Sequence, residues 1–269
     1  MAETVPRRAV KCALSTVLYG ADRAQAVVRR PGSGRPVPPA LVLLYHRVAP
    51  GEQDRFDRQM GRLARWADIV AIEHLDGPSV RRKVTVTFDD ALDSYAHVAI
   101  PVMERRSVPS TVFVPSGHMG GLPSWDGADQ SEPVLDPDSV RALCGHVGIG
   151  SHSRNHRRMS GLGSEALRDE VHGSRADLAA LGAEPSWFAF PYGDYDAAAV
   201  QAVRDAGYRR AFTVAPEPLS SPGAFLCGRV TVDPSDTWLE FRLKVSGAYR
   251  WVGWWMRWKR SRSSRCTAS

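Results

Sequence analysis

Residues 83–90 read KVTVTFDD. Val84, Val86 and Phe88 alternate with smaller or polar residues, the period-two pattern of a strand. The strand ends in two adjacent carboxylates, Asp89 and Asp90, which are costly at the end of an apolar run unless something neutralises them. Alternation sends one carboxylate toward the mouth of a sheet or barrel and lets the next turn aside. One can then ligate a metal while the other accepts a proton. Taken alone, an Asp-Asp pair reads equally as a solvated turn or a helix N-cap.

The same reading extends outward along the chain. ALVLLYH (40–46), IVAI (69–72), STVFVP (110–115), the start of GIGSHSRNH (148–156), WFAFPYG (187–193), AFTV (211–214) and RVTV (229–232) are predicted strands. Between them, FDRQMGRLARW (56–66), ALDSYAHVAIPVMERR (91–106), DPDSVRALCGH (136–146), SEALRDEVHGSRADLAAL (164–181) and DAAAVQAVRDAG (196–207) carry helical spacing. Short strands alternating with longer helices predict an α/β fold, βα units around a parallel sheet or barrel. In α/β barrels the carboxyl ends of the strands build the active site. Polar residues gather at those ends.

Two further motifs occupy such ends. HSRNH supplies His152 and His156, and two imidazoles four residues apart on a helical turn can converge on one ion. With an Asp from the first motif they make a set with open positions, the composition of a hydrolytic metal site. FPYG (190–193) is a strand running into a Pro/Gly turn, which can aim a backbone N–H at a developing oxyanion.

The chain has 269 residues, 43% apolar and 24% charged, so disordered, collagen-like and multi-span membrane classes are excluded. Its four cysteines are too scattered for a CxxC signature or a disulfide framework. The net charge of +6 is unevenly placed. Residues 1–37 carry seven Lys/Arg against two acids, and residues 241–269 carry eight against none. The stretch between holds 20 basic and 27 acidic residues, so the body is acidic and the ends basic. This argues against nucleic acid as a partner, because positive charge would then surround the site. Basic ends instead suit an anionic membrane surface.

No segment reaches the ~18 consecutive apolar residues of a spanning helix. No continuous secretory h-region or cleavage site is apparent near Arg7 and Arg8. Residues 8–30 read as an amphipathic helix and 31–39 (PGSGRPVPP) as a linker. The expected organisation is a basic extension with its linker over 1–37, a catalytic domain over 38–235 and a basic, Trp-rich tail over 236–269. In the tail, Tyr249, Trp251, Trp254, Trp255 and Trp258 interleave with Arg250, Arg257 and Lys259, a pattern suited to a membrane interface or to docking on the domain. The expected location is cytoplasmic, peripheral at the inner face of the membrane.

TFDD, then HSRNH some sixty residues on, then FPYG some thirty-five further, resembles the polysaccharide deacetylase family, the NodB-homology domain. The resemblance covers about 150 residues. It implies a distorted (β/α) barrel and metal-dependent hydrolysis of an N- or O-acetyl group from a cell-envelope or exopolysaccharide carbohydrate, or from its lipid-linked precursor. On this resemblance Asp90, His152 and His156 hold a divalent metal, zinc first, with cobalt, nickel or manganese as alternatives. Asp89 is the general base, Ser153 braces the loop between the histidines, and the Tyr192 backbone N–H, after Pro191, binds the oxyanion. Trp125 and Asp126 resemble the Trp-bearing motif that lines the sugar groove.

The chain departs from the family in two places. Many members carry an Arg before the Pro-Tyr pair that orients the base, where this chain has Phe188, Ala189 and Phe190. Many carry a late Leu-x-His that supplies the acid, but no histidine follows His172. LLYHRV (43–48) resembles the exopolysaccharide and poly-N-acetylglucosamine deacetylase branch, in which an early histidine takes the acid role, and it nominates His46. Hydrolysis of another non-peptide C–N bond, or a silent glycan-binding scaffold, are the competing expectations.

Overall fold

The computed structural model describes residues 5–28, 39–219 and 221–255. Most of the linker at 31–39, Trp258 and the Ser/Arg-rich end at 260–265 lie outside the described residues. Nine strands form one sheet: β1 (Leu41–Tyr45), β2 (Ala67–Ile69), β3 (Arg82–Phe88), β4 (Ser110–Val114), β5 (Gly148–Ser151), β6 (Trp187–Ala189), β7 (Arg210–Phe212), β8 (Leu226–Cys227) and β9 (Val230–Thr231). Their order is β8-β7-β6-β5-β4-β3-β1-β9, with β2 beside the start of β3, and every pairing is parallel. Neighbours in sequence are largely neighbours in space, and the sheet curls into the distorted, open (β/α) barrel that the resemblance implies. All carboxyl ends therefore share one rim.

β1 is buried along its whole length, because helices cover one face and the barrel interior the other. Its outward residues Leu41, Leu43 and Tyr45 join Val84, Val86 and Phe88 of β3 in the main core. The Tyr45 and Phe88 rings stack at 5.3 Å, and Phe56 of α2 (Gln53–Trp66) meets Tyr45 edge-on at 5.2 Å. The alternate residues Thr87 and Asp89 face inward, where both meet the Arg229 guanidinium near Phe113 and Phe212. Gly150 in β5 keeps room there: a Cβ would stand 2.5 Å from the Phe113 ring and 3.0 Å from the Trp187 carbonyl oxygen.

Several elements differ from the sequence expectation. The IVAI strand lies earlier, at Ala67–Ile69, and Ile72–His74 is a 3-10 turn. Helix 91–106 begins later: a wide turn at Tyr95–Ala99 leads into α3 (Ile100–Arg105). After α4 (Pro137–Leu143), the 164–181 helix divides into α5 (Ser164–Arg168), a wide turn at Asp169–Gly173, and α6 (Ser174–Ala180). α7 (Ala197–Asp205) lies within the expected 196–207 helix and starts on an Asp196 cap. HSRNH is not a helical turn: Ser153 and His156 take left-handed φ values of 60° and 53°.

The ends pack on the domain and on each other. Thr237 caps α8 (Trp238–Val245), whose Phe241 and Val245 enter the main core while Leu243 joins Ala248, Tyr249 and Val252 in a second cluster. α1 (Val5–Val28) lies against this segment with its polar side inward. Arg8 binds Glu240 and Asp236, Arg250 binds Asp22, and the Trp251 indole donates to Ser15 at 3.0 Å. Val10, Leu14 and Val17 face outward, 58%, 48% and 71% exposed. Among the described residues, no helix is long and apolar enough to cross a membrane.

Candidate active site

β3 delivers Asp89 and Asp90 to the rim, β5 delivers His152, and the following loop delivers His156. Five of the six described non-glycine residues with left-handed φ are Asp90 (69°), Ala91 (49°), Ser153, His156 and Tyr192 (59°). Such conformations cost on the order of 1–3 kcal/mol each and persist only where the surroundings over-determine them. Here they turn three strand ends back over a common point.

At that point Asp90 Oδ1 lies 3.3 Å from His156 Nε2 and 3.6 Å from His152 Nε2. One ligand atom from each residue fits within 4.8 Å of the others. His152 Nδ1 is 2.8 Å from the Ala189 carbonyl oxygen, which places its proton there and leaves Nε2 with a free lone pair. Asp90 Oδ1 is buried with no hydrogen-bond donor. A buried, unpartnered carboxylate oxygen facing two imidazole nitrogens is the donor set of a divalent metal. Protonation agrees. Burial lowers the His152 pKa to about 4, and although burial opposes it, the neighbouring histidines hold Asp90 down at about 2. Neutral imidazole and ionised carboxylate are the forms a metal requires.

Asp89 stands beside the cluster, its Oδ2 3.7 Å from His152 Nε2, and is held from the barrel interior. Arg229 grips it at two points, Nη1 to Oδ1 at 2.6 Å and Nη2 to Oδ2 at 2.7 Å. Burial pushes the Asp89 pKa up, but Arg229 and His152 outweigh it and hold the carboxyl below its usual range. The guanidinium is fixed by the Thr213 carbonyl at 3.2 Å and lies near the rings of Phe113 and Phe212. The Phe188–Ala189–Phe190 stretch holds no arginine, yet a guanidinium reaches the carboxylate from just before β9. Sequence reasoning missed this residue. Its one local signal is a lone charge inside the short apolar run FLCGRVTV.

Glu170 was missed as well. It is wholly buried in the wide turn between α5 and α6, and accepts hydrogen bonds from the Asn155 amide at 2.8 Å and the Arg154 amide at 3.1 Å. It thus fixes the backbone between the two histidines. Ser153, expected to brace this loop, has a buried hydroxyl with no hydrogen-bond partner.

The remaining expected residues surround the cluster. Trp125 stacks on His156 at 4.1 Å, Tyr192 meets the same ring edge-on at 4.8 Å, and Arg158 lies over Tyr192 at 4.2 Å. Asp126 is exposed beside them and, after burial, is the main influence raising the Tyr192 pKa. Pro191 is buried at the start of the Tyr192 turn. His46 is exposed immediately after β1, whose Tyr45 pairs with Phe88, so it sits next to Asp89 across the rim. Both Asp89 and Asp90 feel its charge. Arg47 ties this end to the Trp125 loop through Asp129 and Glu132.

A parallel barrel with a buried carboxylate clamped beside an Asp-His-His cluster defines a hydrolase. The chain belongs to the polysaccharide deacetylase family, whose sequence profile matches residues 76–211, and it is a carbohydrate deacetylase. The match contains all three motifs, while His46 and Arg229 lie outside it. YxkH of Bacillus subtilis (strain 168), whose name carries a provisional polysaccharide deacetylase designation, is 21% identical over 208 residues, 72% of this chain and 71% of its own. Among solved structures, IcaB from Ammonifex degensii is similar at a TM-score of 0.65 and 24% identity, over 78% of this chain and 97% of that one. The Streptococcus pyogenes deacetylase PplD, in complex with acetate, follows at 0.63 and 20%, over 78% and 98%. At these identities the structural likeness speaks for the fold.

Proposed function

We propose that this protein removes acetyl groups, foremost N-acetyl, from a cell-envelope or exopolysaccharide carbohydrate or its lipid-linked precursor, in a metal-dependent reaction. The observation that carries this reading is the pair of adjacent carboxylates with opposite fates. Asp89 is locked on Arg229, and Asp90 faces two imidazoles. Asp90, His152 and His156 would hold the divalent cation, zinc first among the candidates. When bound, such an ion supplies Lewis-acid polarisation of the acetyl carbonyl and of water.

The chain's own groups do the rest. Asp89, kept ionised and aimed by Arg229, takes the proton of the attacking water. The left-handed Tyr192 turn presents a backbone N–H toward the developing oxyanion. His46 protonates the departing nitrogen. Trp125 and Tyr192 flank His156 and offer aromatic surface to the sugar, with Asp126 and Pro191 on the same wall.

The test is acetate release from N-acetylated oligosaccharides, measured before chelation, after chelation and after adding back zinc, cobalt, nickel or manganese. Acetate release abolished by chelation and restored by one of them is the expected result. Release indifferent to chelation would remove the metal, and hydrolysis confined to formylated or cyclic amides would move the activity to another C–N bond.

An anionic membrane surface is the second proposed partner. The support is the outward face of α1, with Val10, Leu14 and Val17 exposed, together with exposed Trp254 and Trp255 and the basic charge of both ends. Flotation with anionic liposomes, lost in a Val10→Ser/Leu14→Ser/Val17→Ser variant, is the expected result, and unchanged flotation would refute it.

A further inference from the structure

A cavity of about 300 Å³ lies between α2 and the start of α8, outside the barrel. Three arginines line it, Arg55, Arg58 and Arg62, spaced along one side of α2. Ser235 and Trp238 close the opposite wall. None of the three arginines makes an ion pair among the described residues, although the α2 acid nearest in sequence to Arg58, Asp57, is paired with Arg106. Asp236 also borders the cavity, but its carboxylate is taken up by Arg8 at 3.0 Å and Lys244 at 2.8 Å. The Arg62 guanidinium stacks 4.0 Å over the Trp238 ring, which rests 4.5 Å from Trp66. One fork is therefore held in advance by Trp238, and Arg55 and Arg58 line the same cavity without an ion pair among the described residues.

Guanidinium groups match phosphate oxygens two at a time, and their convergence in a concave site discriminates a multiply charged anion from a single carboxylate. The cavity has room for a phosphate and part of an organic substituent, and the Trp238 indole offers that substituent an apolar surface. We propose that this cavity is a binding site for a phosphate or diphosphate group, carried either by a membrane lipid headgroup or by a soluble phosphorylated compound. The site lies on the same rim as the candidate active site, because α2 follows the carboxyl end of β1 and residues 233–238 follow that of β9. Gln59, on its wall, accepts from the Tyr45 hydroxyl at 2.9 Å, one residue before His46. The inference stands apart from the metal reading, since no residue is shared.

The test measures binding of pyrophosphate by titration calorimetry, and of phosphatidic-acid vesicles against phosphatidylcholine vesicles by sedimentation. The wild type is compared with Arg55→Gln/Arg58→Gln and with the charge-matched control Arg65→Gln/Arg105→Gln. Both altered arginines are exposed, so fold and basal acetate release should persist. The expected result is at least a tenfold loss of pyrophosphate affinity in the first variant and little change in the control. Vesicle binding that is lost in the same variant and displaced by pyrophosphate assigns the site to a lipid headgroup. Pyrophosphate binding without vesicle binding assigns it to a soluble phosphate compound. No binding of either probe by the wild type, or equal loss in both variants, overturns the proposal.

Discussion

Arg229 and Asp89 meet as a two-point ion pair inside the barrel, 140 residues apart in sequence, with both side chains almost wholly shut from water. Removing one partner of such a pair leaves the other buried and uncompensated, which typically costs about 3–5 kcal/mol. Arg229→Met is expected to lower stability by that order and to cut turnover.

The pair also sets a pH dependence. The Asp89 pKa is lowered in the folded state, so its contribution to stability is present above the unfolded carboxylate range and is lost as pH falls through the folded pKa. In Arg229→Met burial loses its main opponent, leaving His152 to act against it, so the acidic limb of the kcat/KM profile moves to higher pH. Arg229→Lys, which keeps the charge but loses the fork, should move it less. An unmoved limb in Arg229→Met would separate Arg229 from the base.

Asp90→Ala, His152→Ala and His156→Ala are each expected to lose bound metal and activity together, measured by metal analysis after dialysis. Asp89→Asn should retain the metal while turnover falls by roughly 10²–10⁴-fold, the usual effect of losing a general base. Full metal occupancy in any of the first three, or near wild-type turnover in the fourth, contradicts the assignments.

Glu170 acts on the site through the loop between the histidines, holding the Arg154 and Asn155 amides and the Asn155 side chain. Glu170→Ala leaves the Arg154 and Asn155 amides without their acceptor and loosens the loop that carries His156. The expected effect is a metal affinity 10–100-fold weaker, as for loss of other groups that orient ligands. Excess metal should rescue turnover. Lost turnover at unchanged metal affinity would point to a role beyond positioning.

The parts of this site that local sequence announces are those fixed by short-range rules. Period-two alternation places Thr85, Thr87 and Asp89 on one face and ends β3 where two carboxylates stand. The Asp196 and Asp136 caps mark helix starts at α7 and α4. What escaped depends on chain segments meeting from far away. Arg229 reaches Asp89 only because β9 pairs with β1 and β1 with β3. Glu170 looks like an ordinary surface acid of an amphipathic helix until a wide turn rotates it onto the loop. The histidine spacing reads as a helical turn, whereas the loop reaches the same convergence through left-handed Ser153 and His156. α1 was recognisable as amphipathic, but the direction of its faces was not, because Glu240, Asp236 and Trp251 that claim its polar side lie more than 200 residues on.

His46 carries the last prediction. Departure of an amine requires a proton, and the family's late histidine is missing. His152 and His156 are turned toward Asp90, which leaves six other histidines. Of these, only His46 directly follows a core strand at the rim, where register with Phe88 sets it beside Asp89, and it is exposed there to substrate. His118 is the nearest competitor, but its half-buried ring lies edge-on against Trp125 at 5.0 Å. His46→Asn is therefore expected to keep its metal and its melting temperature while kcat/KM for an N-acetylated sugar falls by about 10²–10⁴-fold. An aryl acetate, whose leaving group departs without a proton, should lose less than about tenfold under the same substitution. The decisive quantity is the ratio of the two, in wild type and variant. Equal losses on both substrates would make His46 a positioning residue and return the acid role to water or to another side chain of the rim.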